Sequence, residues 1–287
     1  MKVKIFRIRS RYWIPTRDRY RIVKKLLRIA KKFEHKNTII FISEKALLTS
    51  LGFIYDESLI KISKIDLLNV KIFKYVWCRL FRRLFREYIY ESLCNVRDID
   101  LARHLHLCSS ISKNLLSILK PVSTCGVDTS LLPYFYVTYP SRDSYAIIKK
   151  IIDEIYHRCR LLSICVVDSD LSIIIKKFNI VLVSRPVHVP GCINLGVLTY
   201  VLAKCFKSYK LFIKCPTITY FRGHRSLIPY RIFYIARRIS KYLKSPVRTV
   251  LETARYVGAI DYTLVKWCQV MKIFPHHPVV IVRFLYE

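Results

Sequence analysis

Apolar and polar residues alternate from Lys2 to Arg9 (KVKIFRIR), the two-residue period of a strand, and the run 11–15 breaks it. From 17 to 33 the period lengthens. Tyr20, Val23, Leu27 and Ala30, flanked by Ile22, Leu26, Ile29 and Phe33, recur every three or four positions, which predicts a helix whose other face is Lys and Arg. NTIIFIS (37–43) is a nearly continuous β-branched run, as expected of a buried strand. YVWCRLFRRLFREYIYESL (75–93) carries apolar residues at helical spacing with Arg79, Arg82, Arg83 and Arg86 between them. A packed helix with a solvated arginine face is its simplest reading, and a helix lying on nucleic acid or membrane is the functional one.

Further on, YAIIKKIIDEIYHRCR (145–160) reads as a helix and LLSICVVDSD (161–170) as a buried strand ending in two carboxylates. LSIIIKKFNIVLVSRP supplies one or two strands around a Lys-Lys-Phe-Asn turn. Helical spacing returns at 194–206, at 229–243 and after Pro246, and PVVIVRFLYE (278–287) reads as a last strand. The pattern predicts an α+β protein with mixed sheets covered by amphipathic helices. No repeat or low-complexity linker divides residues 1–287, so two lobes, if present, would be interleaved, with a basic helical segment at about 59–100. The longest uncharged stretch, PVHVPGCINLGVLTYVLA (186–203), has the length of a membrane span. Pro186, His188, Pro190, Gly191 and Asn194 crowd its first half, and a loop entering a buried helix is expected instead.

Charge changes the picture. Lys and Arg number 51 against 19 Asp and Glu, a formal charge of +32. Such a surface attracts nucleic acid, nucleotides or anionic lipid, unless the excess is a compositional habit of the source. Ten cysteines (78, 94, 108, 125, 159, 165, 192, 205, 215, 268) form no C-x-x-C pair, which argues against a structural zinc site. With no signal peptide in the opening residues, they read as buried thiols of a reducing cytoplasm.

The standard glycine-rich phosphate loops are absent, as is H-E-x-x-H. His276 and His277 read as a turn before the last strand. That leaves the acids. Asp168 and Asp170 stand two residues apart at the expected end of a buried strand, where α/β proteins place ligand groups, and a continuing strand would point both to one face. Asp128 lies in a Gly-Val-Asp-Thr-Ser turn before an aromatic, strand-like run. Carboxylates of this kind hold hard divalent cations; the structural alternative is that each caps a turn or pairs with an arginine.

Taken in order, MKVKIFRIRSRYWIP, FISEKALLTSLGFIYDES, KPVSTCGVDTSLLPYFYVTYP, VVDSDLSI and VVIVR resemble the coenzyme F-420-0:L-glutamate ligase family, most of all its archaeal ligase-like branch. The G-V-D-x-S turn followed by L-P-Y is the most specific piece. The resemblance implies a glutamate-ligase-like fold, a homodimer, and GTP with Mn or Mg used to join glutamate, or another amino acid, to a small acidic acceptor. It implies metal ligation by Asp128 and Asp170 with Asp168 assisting, and phosphate or carboxylate contacts from Lys45, Ser43, Ser130, Arg9 and Arg11. Three positions depart from the family pattern. Thr49 stands where a nucleotide-contacting lysine is expected, Leu131 replaces an asparagine and Leu171 a hydroxyl residue. These departures open a second expectation, a diverged relative that binds nucleic acid or another polyanion through its basic surface; a purely structural subunit is a third.

Overall fold

The computed structural model describes residues 2–10, 19–81, 94–111, 126–205, 212–223, 229–243, 250–273 and 276–285. Its centre is a seven-stranded mixed sheet. Strand β1 (Lys2–Ser10) pairs antiparallel with β9 (His276–Leu285), and β9 pairs antiparallel with β2 (Thr38–Ser43). Strand β2 runs parallel to the first half of β5 (Leu162–Ile175), with Ser43 opposite Val167. The second half of β5 pairs antiparallel with β6 (Ile180–Val183), which pairs parallel with β7 (Cys192–Asn194). Along its other edge β5 pairs antiparallel with β8 (Phe212–Arg222). A two-stranded sheet joins β3 (Ile54–Asp56) to β4 (Tyr136–Thr138).

Alternation along β2 explains the layers. Ile40 and Ile42 face one apolar cluster, completed by Ile22, Val23, Leu26 and Ala30 of helix α1 (Arg19–Phe33), by the short helix α2 (Glu44–Ser50) and by Ile148, Ile151, Ile152 and Ile155 of α5 (Arg142–Arg158). Ile39 and Phe41 face the opposite cluster, closed by Ile232, Phe233, Ala236 and Ile239 of α7 (Pro229–Leu243). A strand buried on both sides is apolar on both faces, which is why 37–43 shows no two-residue period. Residues 162–168 of β5 are buried for the same reason.

Helices α3 (Lys64–Lys74) and α4 (Asp98–Ile111) pack with α6 (Val197–Cys205) around Val70, Phe73, Trp77, Leu101, Leu105 and Tyr200. Helices α8 (Val250–Val257) and α9 (Trp267–Ile273), joined by a 3-10 turn (Tyr262–Leu264), build a smaller cluster with Leu131. Among the described residues no helix is long and apolar enough to cross a membrane; the uncharged stretch forms a loop, β7 and the start of α6.

Several expectations need correction. Strand β5 does not end at Asp170 but runs to Ile175, because a register shift against β8 between Asp168 and Leu171 absorbs the polar residues and lets the β-branched run resume. His276 and His277 open β9 instead of forming a turn. Cys78 and Cys94 form a disulfide with an S–S distance of 2.08 Å, and Cys205 and Cys268 are exposed, so the cysteines are not uniformly buried thiols. Of the basic stretch 75–93, only a wide π-type turn at Tyr75–Phe81 lies within the described residues before position 94.

Candidate functional site

Strands β2 and β6 meet the same edge of β5 one after the other, and the polar residues 168–170 occupy the interval between them. Ser43 ends β2 and caps α2, its hydroxyl accepting from the Ala46 N–H at 3.4 Å. The chain turn that follows sets Glu44 and Lys45 beside β5. Glu44 is only 1% exposed, and Arg185, just beyond β6, is fully buried.

Arg185 organises one half of the centre. Its Nη1 donates to Glu44 Oε2 at 2.8 Å and its Nη2 to Glu44 Oε1 at 3.3 Å, a two-pronged fit of guanidinium to carboxylate. Nη1 also donates to Asp168 Oδ2, Nη2 to the Tyr145 hydroxyl, and Asp170 Oδ2 lies 4.0 Å from Nη1. Gly126 gives the guanidinium its room: at φ +84°, a Cβ on it would stand 2.3 Å from the Arg185 guanidinium carbon. The glycine of the Gly-Val-Asp turn therefore serves an arginine 59 positions further along the chain.

Lys45 organises the other half. Its ammonium lies 3.0 Å from Asp128 Oδ2 and donates to Ser130 Oγ at 2.9 Å and to the Ser130 carbonyl. The other Asp128 oxygen accepts the Ser130 N–H at 2.8 Å, and the Asp128 carbonyl accepts from Thr138 N at 3.1 Å, tying the turn to β4.

Burial pushes the Glu44 carboxyl up, opposed by Arg185 and reinforced by Asp168. Burial likewise pulls the Lys45 ammonium down against the pull of Asp128, and raises the Tyr145 hydroxyl well above its usual range. For Arg185 burial acts to lower the value, but Glu44, Tyr145 and Asp168 outweigh it and hold the guanidinium charged.

The structure thus brings together Ser43, Lys45, Asp128, Ser130, Asp168 and Asp170 from three distant segments. It does not bring Arg9, which is exposed on β1; β9 lies between β1 and β2, so Ser43 is two strand spacings away, about 10 Å. Arg11 lies outside the described residues. Thr49 is buried in α2, and its hydroxyl has no hydrogen-bond partner among the described residues. Leu131 adopts φ +58° and packs into the apolar cluster of α8 and α9, while Leu171 packs toward Val201 and its neighbours, so neither departure faces the centre as a polar group would.

Glu44, Tyr145 and Arg185 were not expected from the sequence. Arg185 did leave a signal: it is the only charge between Lys177 and Lys204, directly after the apolar run of β6, where a cation must be paired to be buried.

Among the described residues no three His, Cys, Asp or Glu side chains are arranged as a formed metal cage. The donor chemistry nevertheless suits a hard divalent cation, being carboxylate and hydroxyl oxygen only. Four carboxylates (Glu44, Asp128, Asp168, Asp170) face two cations (Lys45, Arg185), leaving a formal excess of two negative charges. No protein-family model matches this chain, and no curated protein matches it either.

Proposed function

We propose that the polar centre is the working site of a glutamate-ligase-like enzyme, using GTP and Mn or Mg to join an amino acid to a small acidic acceptor through an amide bond. The observation that carries this reading is the convergence of Asp128, Asp168 and Asp170 with Lys45 and Arg185 in one place, buried at Arg185, Asp168 and Asp170 and half-buried at Lys45 and Asp128. Burying several ionisable groups together is costly, and such clusters concentrate at functional sites.

In this reading Asp128 and Asp170 would hold the divalent cation, with Asp168 beside them. When bound, the cation would offset the charge of the transferring phosphoryl group. Lys45 carries its ammonium on a flexible four-carbon stem and would exchange Asp128 for a phosphate oxygen. Arg185 is held by Glu44 and Asp168 in a fixed orientation, and its role is to aim those carboxylates. Ser130 steers Lys45, and Tyr145 buttresses Arg185.

The test is thermal unfolding with and without GTP plus Mn2+. A ligand at about a hundred times its Kd adds roughly 2.7 kcal/mol to the folded state, which is a readable rise in midpoint. The rise is expected in the natural chain and absent from Asp128→Asn and Asp170→Asn. No rise at saturating GTP and Mn2+ would sink the proposal.

A further inference from the structure

Beyond the polar centre, the edge of the sheet at β1 is built from three elements that carry no acid at all. Strand β1 holds four Lys and Arg, helix α1 seven and helix α7 four, with neither Asp nor Glu in any of them. The fold sets them side by side. Helix α1 covers one face of β1, where Phe6 meets Phe33 at 5.1 Å between ring centroids and Lys25 Nζ donates to Ser10 Oγ at 2.5 Å. Helix α7 packs on β8 and β9, and its last turn reaches the other face of β1, where the Arg7 guanidinium stands 5.6 Å from the Tyr242 ring centroid.

Lys2, Lys4, Arg7 and Arg9 of β1 are exposed, as are Arg21, Lys24, Lys25, Arg28, Lys31 and Lys32 of α1. So are Arg231, Arg237, Arg238 and Lys241 of α7. The nearest carboxylate following α1, Glu34, faces the Leu161 N–H instead, at 3.5 Å. A cationic band therefore runs across one rim of the molecule from one helical layer to the other.

Two features decide the kind of polyanion. Both helices bury their apolar stripes in the core, Ile22, Val23, Leu26 and Ala30 on one side and Ile232, Phe233, Ala236 and Ile239 on the other. Neither has an apolar face left to enter a bilayer, which an interfacial helix requires. What the band does expose is tyrosine: Tyr20 is 70% exposed and Tyr234 40%. Each has a cation over its ring, Lys24 at 5.9 Å and Arg238 at 5.4 Å. Cations that follow a phosphate backbone, interleaved with open aromatic faces on which unpaired bases stack, make a platform for single-stranded nucleic acid.

We infer that the α1–β1–α7 rim is a docking surface for single-stranded nucleic acid, bound by phosphate contacts from its Lys and Arg and by base stacking on Tyr20 and Tyr234. It is separate from the polar centre and does not depend on the ligase reading.

The test is binding of fluorescent dT and rU 20-mers by the full chain across a salt series, with a 20-base-pair duplex and anionic phosphatidylserine vesicles as competitors. Log affinity is expected to fall linearly with log salt, and the combined Lys24→Gln, Arg28→Gln, Lys31→Gln variant to lower the slope by about 0.7 for each phosphate it no longer neutralises. That variant is expected to bind at least about tenfold more weakly, and Tyr20→Ala with Tyr234→Ala to weaken the single strand but not the duplex. All these side chains are exposed, so the midpoint of unfolding and its response to GTP plus Mn2+ should not change. Unaltered binding in the Gln variant would overturn the surface assignment. A duplex held as tightly as the single strand, with the Tyr variants neutral, would overturn the choice of ligand. So would vesicle binding with no oligonucleotide binding.

Discussion

Gly126 and Arg185 illustrate how a single atom can connect two distant segments. Alanine at position 126 would set a methyl group against the Arg185 guanidinium and hold a left-handed backbone that only glycine adopts without strain. Gly126→Ala is expected to destabilise the fold by about 1–3 kcal/mol, read as a lower urea midpoint. A midpoint within error of the natural chain would show that Arg185 moves aside freely. Removing the cation itself should cost more. Arg185→Met leaves Glu44 and Asp168 buried without their partner, a loss of about 3–5 kcal/mol near neutral pH. The sign of its pH dependence follows from Glu44. Burial already raises that carboxyl and Arg185 opposes the rise, so the variant raises it further. A group whose folded value is raised favours folding most below its unfolded value, 4.5 here, and loses that contribution as pH increases through the folded value. The deficit of Arg185→Met should therefore shrink as pH falls from neutrality toward 4.5; a deficit that grows toward acid would exclude this account.

Helix α3 shows what an element takes from its first residues. Ser63 caps it by accepting the Asp66 N–H at 3.2 Å, while Asp66 Oδ2 accepts the Ser63 N–H at 2.8 Å, a reciprocal capping box. Slight burial acts to raise Asp66, but the Ser63 hydrogen bonds and His106 outweigh it and hold the carboxyl below its ordinary value of 3.8. A lowered acid stabilises the fold above that value and ceases to as pH falls through its folded value. Ser63→Ala is expected to cost about 1 kcal/mol and to speed amide exchange in the first turn of α3; unchanged exchange there would show that packing alone holds the helix. Elements of this kind were largely legible. The helix at 229–243 has the bounds that its spacing implies, and the turn at Lys176–Asn179, with Asn179 at φ +53°, joins two strands as its composition suggests. The run 161–170 misled because Asp-Ser-Asp resembles a strand end, and no local signal shows that β8 would shift register to accommodate it.

At the scale of the molecule, the central problem is how far-apart segments find one another. Asp100 of α4 accepts hydrogen bonds from the Tyr134 hydroxyl at 2.9 Å, the Tyr262 hydroxyl at 2.7 Å and Arg97 Nε at 2.9 Å. One carboxylate thus joins α4, the turn that carries Asp128 and the C-terminal helices. Burial first, then Asp100, pushes the Tyr262 hydroxyl up to about 12. Asp100→Ala would leave three donors without their acceptor and should cost about 2–3 kcal/mol, with faster amide exchange across 250–273. Exchange confined to α4 would show that α8 and α9 are held without it. None of this was readable in advance. Asp128, Asp168 and Asp170 stood out because acids are scarce in this chain, whereas Arg185 was one cation among 51, marked only by its place in an otherwise uncharged stretch and by its burial. Composition marks the rare partner of an ion pair and hides the common one.

The order of strands in the main sheet has a consequence for the chain as it is synthesised. Strand β9 separates β1 from β2, yet its residues emerge from the ribosome more than two hundred positions after both, Lys2 meeting Leu285 and Ile42 meeting Val279. Until then the nascent protein holds two strands, one of them apolar at four successive positions, whose intended neighbour does not exist. Such a sheet closes late, and its waiting edges invite pairing with other chains. A released chain truncated just short of position 276 should be bound by chaperones or found in the pellet, and one carried through Leu285 should not.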